Sequence, residues 1–195
     1  MRPFSLCQIV ISSLCLTLAS GAAGSEPKSQ TFDHSTLCIQ SQTQNHSISV
    51  EVASTPEQRA FGLMERTWLQ ADSGMLFLYP APQPKSHGLW MYRTRIPLDA
   101  AFIGADGQIL RIQSMEPCLS SNRRECTVYH AGVEYMMALE VNQGFFEERG
   151  IQVGDKLLGL NNACPSANNG ASANGKPEAK RQQYLHKDPK DKHPD

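Results

Sequence analysis

Gly62-Leu63-Met64, Gly74-Met75-Leu76-Phe77, Trp90-Met91 and Ile96-Pro97-Leu98-Asp99, closing on Asp106-Gly107, make a run of short apolar blocks broken by Gly, Pro and Asp. Strand-length apolar segments punctuated in this way predict a compact β-rich domain, not a helical bundle.

The same pattern continues on either side of this run. Upstream, Leu37 to Gln42 and Ser47 to Ala53 are expected as short strands flanking a Gln44-Asn45-His46 turn, and Ile48, Val50 and Val52 alternate with Ser49, Glu51 and Ala53 to give one buried face. The period then changes. Thr55-Pro56-Glu57-Gln58 is a helix start, with Thr55 as N-cap, Pro56 in the first helical position and Gln58 completing a capping box. Ala60, Phe61, Leu63 and Met64 give that helix an apolar stripe, and Gly62 inside it signals close packing or an early end. Met75 to Tyr79 reads as a strand, Pro80 to Pro84 as a loop, and Leu89 to Thr94 as another strand. Ala100 to Ile103 and Gln108 to Gln113 flank Gly104-Ala105-Asp106-Gly107, a hairpin turn. Further on, Val133 to Val141 is expected as a strand presenting Val133, Tyr135, Met137, Leu139 and Val141 on one face. A short helix over Gly144 to Arg149 is stopped by Gly150, and Lys156 to Leu160 closes the sheet.

The ends of the chain differ in kind. Arg2, the apolar run Phe4 to Leu18 and the small residues Ala19 to Gly24 form the pattern of a secretory signal peptide, too short to span a membrane stably. Cleavage there leaves about 170 residues, ample for one core. Residues 25–36 read as a linker, 37–160 as the β domain, and 161–195 as a polar tail too poor in apolar residues to order itself. The expected address is periplasmic or extracellular. A net charge of −1 with no basic stripe leaves nucleic-acid binding unsupported, and no nucleic-acid partner is expected.

Cysteine usage agrees with export. Cys7 and Cys15 leave with the leader, and Cys38, Cys118, Cys126 and Cys164 remain. An even number in an oxidising compartment predicts two disulfides with three possible connectivities, of which the favoured one has Cys118–Cys126 pinning a local loop and Cys38–Cys164 tying the ends of the domain together. A four-cysteine zinc site is the alternative, and no Cys-x-x-Cys pair supports it.

The blocks also resemble, in order and spacing, the domain-of-unknown-function family 192 (DUF192). The resemblance covers about Val50 to Leu160. Besides the blocks quoted first, it rests on Thr94, Cys126 with Tyr129, Leu139-Glu140, Gly144, and Gly150 with Gly154-Asp155. It implies a small β-sandwich or jelly-roll-like barrel with one or two short helices over it, and it implies no activity. Where the family carries a Lys-Asn pair between Trp-Met and Thr, this chain has Tyr92-Arg93, so a ligand bound there would meet different chemistry.

Three constellations carry chemical promise. On a strand, Trp90, Tyr92 and Thr94 share one face, an aromatic pair with a hydroxyl suited to stacking on a sugar or another flat ligand; the alternative is ordinary core and surface. Asp99 and Glu140, each beside apolar residues, are weak catalytic candidates as a general acid–base pair; the alternatives are turn-capping or a polar anchor in a pocket. Met64, Met75, Met91, Met115, Met136 and Met137 with His87 or His130 are soft copper ligands on paper, though methionine in apolar blocks more commonly fills core gaps. No Gly-x-Ser-x-Gly elbow occurs. The sequence therefore predicts an exported, non-enzymatic binding or accessory domain. Its ligand, a small molecule or saccharide, is expected at Trp90, Tyr92, Arg93 and Asp99, with no cofactor and no metal. A saccharide-acting enzyme using Asp99 and Glu140 is the first alternative. The second is an interaction factor for a protein partner that the sequence does not identify.

Overall fold

The computed structural model describes residues 30–160 together with residues 164 and 165. The leader and nearly all of the polar tail lie outside the described residues. In chain order the elements are β1 (Asp33–Gln40), β2 (Asn45–Ala53), α1 (Pro56–Phe61), β3 (Ser73–Gln83), β4 (Gly88–Trp90), β5 (Leu98–Ile103), β6 (Ile109–Met115), β7 (Val128–His130), β8 (Tyr135–Asn142), α2 (Phe145–Glu148) and β9 (Lys156–Leu160). The fold is mainly β, as the apolar blocks predict, and sandwich-like, as the family resemblance implies.

A seven-stranded sheet in the order β6-β5-β8-β3-β2-β1-β9 forms the main layer, and β4 with β7 makes a two-stranded second layer. Most pairs are antiparallel, but β2 and β3 run parallel, with Val52 beside Leu76. A tight turn cannot join parallel neighbours, so the chain needs a crossover, which α1 and the segment after it supply. The two outer strands of the order approach each other at Gln108 and Lys156. There Ile109 N–H donates to the Asp155 carbonyl and Leu157 N–H to the Gly107 carbonyl, each at 2.8 Å. The sheet curls back on itself without a full ladder closing a barrel.

That curl gives the sheet two cores. One face buries Leu37, Ile48, Leu76, Leu139 and Val141, with Phe145 and Phe146 of α2 against them. The other buries Met75, Phe77, Ala100, Phe102 and Ala138 beneath Leu63, Leu89 and Met91. The central strands are buried on both faces, and every residue of β5 from Leu98 to Ile103 is buried, Asp99 included. Of the methionines weighed as copper ligands, Met75, Met91 and Met115 lie in the second core.

Several boundaries differ from the sequence reading. Strand β1 begins at Asp33, inside the stretch assigned to a linker. Strand β3 continues through Pro80 and Pro82 to Gln83, where a loop is expected. Its ladder with β8 is interrupted between Leu78 and Gln83, so the missing proline N–H groups break no pairing there. At that irregular end Tyr135 turns to the opposite core from Met137, Leu139 and Val141, packing 4.9 Å from Phe102 and 5.4 Å from Tyr79 between ring centroids. The strand expected over Leu89 to Thr94 stops at Trp90. Arg93 has φ 58°, a left-handed conformation that no strand accommodates.

Both disulfide pairings agree with the spacing argument. Cys38 joins Cys164 with Cα atoms 5.0 Å apart, and Cys118 joins Cys126 at 5.7 Å. The chain-entropy contribution is about 5 kcal/mol for the long loop and about 2.5 kcal/mol for the short one, as upper values. Among the described residues no helix is long and apolar enough to cross a membrane.

Candidate functional site: an acid-floored pocket under the second layer

Two segments far apart in sequence build the site. The first is the end of α1. Thr55 and Gln58 form the reciprocal capping box that the sequence predicts, with Gln58 N–H donating to Thr55 Oγ1 at 3.2 Å and Thr55 N–H to Gln58 Oε1 at 3.1 Å. Gly62 ends the helix at φ 52°, and a Cβ there would sit 3.4 Å from the Phe77 ring. The early end is therefore a backbone requirement, and it turns Met64 and Glu65 toward the second segment.

That second segment is Trp90 to Arg95. Glu65 and Arg93, the described non-glycine residues with positive φ (62° and 58°), face each other. Glu65 N–H donates to the Arg93 carbonyl at 2.8 Å, and the Glu65 carboxylate pairs with the Arg93 guanidinium. Arg95 Nε donates to the same carboxylate at 2.7 Å. The hydrogen bond from Arg95, followed by the charges of both arginines, holds the Glu65 carboxyl below its ordinary pKa. Paired residues in a disfavoured backbone region persist only where their surroundings over-determine them, and such residues cluster at ligand sites.

The short disulfide fixes the outer wall. Tyr92 bridges to Cys118, Arg93 N–H donates to the Cys118 carbonyl at 2.8 Å, and Tyr92 Oη donates to the Ser121 carbonyl at 3.3 Å. Trp90 and Tyr92 stand 6.0 Å apart, centroid to centroid. The Arg123 guanidinium, from the same pinned loop, lies 5.4 Å from the Trp90 ring centroid, within cation–π range.

Behind the aromatic pair is a cavity of about 20 Å³, lined by Gly62, Phe77, Trp90, Tyr92, Thr94 and Glu140 among others. It has room for one water-sized group. Tyr92 also lines an open groove of about 500 Å³ with Glu65, Arg93, Arg95, Ser120 and Ser121. Its position makes Tyr92 the residue shared by groove and cavity.

Glu140 is the floor of that cavity. It lies in the middle of β8, opposite Met75 on β3 and Ala100 on β5, and is only 4% exposed. Burial pushes its carboxyl up to about 8, with no compensating charge or hydrogen bond acting on it. Every fully enclosed side-chain oxygen or nitrogen among the described residues has a partner, so the unbonded Glu140 oxygens open onto the cavity. Tyr79 is within its electrostatic reach, and the Tyr79 hydroxyl is raised by burial first and by Tyr135 and Glu140 to smaller extents.

Asp99 is elsewhere. It pairs with Val141 in the register that places Ala100 against Glu140, and side chains alternate along a strand. The two acids therefore point to opposite faces of the sheet. Asp99 accepts from Ser114 Oγ at 2.7 Å and from Gly144 N–H at 2.8 Å. It is a structural clamp between β6 and the start of α2. The expected pairing of Asp99 with Glu140 across one cleft is corrected accordingly, and Asp99 does not join Trp90, Tyr92 and Arg93. The groups that the sequence reading left out are Glu65, Arg95 and Arg123. Glu65 directly follows the Gly62-Leu63-Met64 block, the one local hint of its position. Among the described residues no cluster of three or more His, Cys, Asp or Glu comes together.

Comparison with known proteins agrees with this architecture. The family described as "Uncharacterized ACR, COG1430" (DUF192) matches residues 37–159. A solved structure from Sinorhizobium meliloti 1021, of a protein proposed as a transcription regulator, is similar at 29% identity and a TM-score of 0.58, covering 66% of this chain and 95% of that one. A protein of unknown function from Novosphingobium aromaticivorans DSM 12444 is similar at 30% identity and a TM-score of 0.52, covering 63% and 82%. No curated protein matches the chain.

Proposed function

This chain belongs to the DUF192 family, and from that premise we propose that it is a non-enzymatic binding domain working outside the cytoplasm, with its ligand seated between Trp90, Tyr92 and Glu140. The single observation that carries the reading is the buried Glu140 carboxyl, unpaired and open to a cavity. Burying an ionisable group without a partner costs several kcal/mol. A fold that needed only packing at this position gains nothing from an acid there. The leader-like N-terminus and the two disulfides support an address beyond the cytoplasm.

The opposite facing of Asp99 and Glu140 argues against the saccharide-acting enzyme, because no second carboxyl shares the cavity. Transcriptional regulation, the proposal attached to the S. meliloti protein, is not carried over. Arg93 and Arg95 are neutralised in part by Glu65, and the net charge is −1, which gives no basic surface for a phosphate backbone.

A thermal-shift screen of the full chain against sugars, amines and envelope fragments tests the reading. A ligand present at a hundred times its Kd adds about 2.7 kcal/mol to the stability of the bound form. The expected result is at least one such ligand whose effect disappears in Trp90→Ala. A flat response across the library would overturn the binding reading in favour of a protein partner.

A further inference from the structure

We infer that the Glu140 cavity is a seat for a primary ammonium group, with Trp90 and Tyr92 as the aromatic lip against which the body of the amine lies. The inference rests on the reading of this pocket as a ligand site and names the class of ligand.

Three observations converge on a cation of that size. The cavity, about 20 Å³, takes a group no larger than water, which suits an –NH3+ head and rejects a quaternary ammonium. Glu140 offers acceptor oxygens and no basic residue answers them. Arg59, which also borders the cavity, donates through Nη1 to the Ser54 carbonyl at 2.6 Å and the Leu78 carbonyl at 2.9 Å, and lies over the Tyr79 ring. Arg93 and Arg95 are held on Glu65. The lip, finally, already attracts a cation, since the Arg123 guanidinium lies over the Trp90 ring. An ammonium inserted from the groove would meet the ring faces first and the carboxylate last.

The pH signature follows from the groups around Glu140. Tyr79 on β3 and Tyr135 on β8 are raised by burial and stay neutral in the working range, while Arg59 on α1 and Tyr92 complete the lining. Glu140, pushed up to about 8, is mostly protonated at pH 7. Entry of an ammonium must drive its proton off to solvent. Binding near pH 7 therefore releases about one proton, and affinity falls roughly tenfold per pH unit below pH 8 while the amine, with a pKa of about 10.4 like lysine, stays charged.

Isothermal titration calorimetry of the full chain with n-butylamine, in two buffers of different ionisation heat, tests this directly. The expected result is saturable binding with buffer-dependent enthalpy, weakened at least fiftyfold in Glu140→Gln, which keeps the shape and removes the charge. Trp90→Leu serves as the second variant and is expected to weaken binding less, about tenfold. Nα-acetyl-lysine amide separates the sources: tighter binding than n-butylamine assigns the seat to a lysine side chain, and weaker binding assigns it to a free amine. Equal affinity of Glu140→Gln and the unaltered chain would overturn the inference. So would n-butanol binding as well as n-butylamine, although that outcome would leave the pocket a ligand site. Failure of both probes, together with a flat thermal-shift screen, would overturn the pocket reading as well.

Discussion

Asp99 and Glu140 are buried acids on adjacent antiparallel strands, displaced by one residue in the ladder, and they meet opposite fates. Asp99 faces the core closed by α2, where Gly144 N–H and Ser114 Oγ both donate to it. Glu140 faces the core under the second layer, where its carboxyl borders a small cavity and no hydrogen bond or opposite charge compensates its burial. The same residue chemistry at the same depth thus stabilises on one face and costs on the other. What separates them is the supply of donors, which a strand edge and a helix start provide and an apolar core does not.

The largest expected effect tests Glu140 through pH. Its pKa is raised in the folded state to about 8 from an ordinary value of 4.5. Between those values the folded chain binds a proton that the unfolded chain has lost. Stability associated with Glu140 is then fully present below pH 4.5 and is lost as pH rises toward 8, by up to about 1.4 kcal/mol per pH unit. Urea denaturation at pH 5 and pH 8 is expected to show a loss of about 4 kcal/mol that Glu140→Gln abolishes. The difference between the two proteins isolates Glu140 from other titrating groups such as His46, whose pKa burial lowers. Parallel curves for the two proteins would mean that water or a ligand already pairs the carboxylate.

Asp99 should stabilise the fold through its hydrogen bonds. Asp99→Ala removes two hydrogen bonds to a charged acceptor and strands the Gly144 N–H, so a loss of about 3 kcal/mol is expected in the midpoint of denaturation. A loss under 1 kcal/mol would erase the contrast between the faces.

How far the sequence discloses this contrast depends on the distance over which each feature is determined. The capping box at Thr55 and Gln58, the Gly104–Gly107 hairpin and the cysteine pairs are local or combinatorial, and they read correctly from residue type and spacing. Alternation assigns sides within a strand, but it cannot relate Asp99 on β5 to Glu140 on β8, because that relation is set by register between segments more than forty residues apart. The parallel β2–β3 pair, the extended Pro80–Gln83 segment and the left-handed Arg93 are likewise decided by neighbouring strands and by Glu65. The aromatic half of the site, Trp90 and Tyr92, was legible as a cluster. Its acid partner was legible only as a residue out of place.

The short disulfide offers a sharper handle on the Glu140 side. Cys118→Ser with Cys126→Ser is expected to cost about 2.5 kcal/mol through the unfolded state. The physical reason to make the variant lies in the native state, because the pinned loop carries the Cys118 carbonyl that receives Arg93 N–H and the Arg123 guanidinium over Trp90. Tryptophan fluorescence is therefore expected to shift in the variant, with Trp68 as a second, constant contribution because it is 67% exposed. An unchanged emission spectrum would show that the lip is held without the crosslink.

The smallest effect asks how much of the Asp99 clamp each donor supplies. Ser114 lies on the outer strand β6 with water access, whereas Gly144 N–H is fixed at the start of α2 with φ 86°. In Ser114→Ala the Asp99 oxygen that loses the hydroxyl can be reached by solvent, so the expected cost is only about 1 kcal/mol, the net value of one such bond. The Gly144 contact persists, and α2 keeps its anchor. Hydrogen exchange distinguishes the two donors: Ser114→Ala should leave the Gly144 amide protected, and Asp99→Ala should expose it. Should both variants expose that amide equally, the hydroxyl and not the backbone donor would be orienting the carboxylate, and the stabilising face of the comparison would rest on a side chain at the sheet's edge.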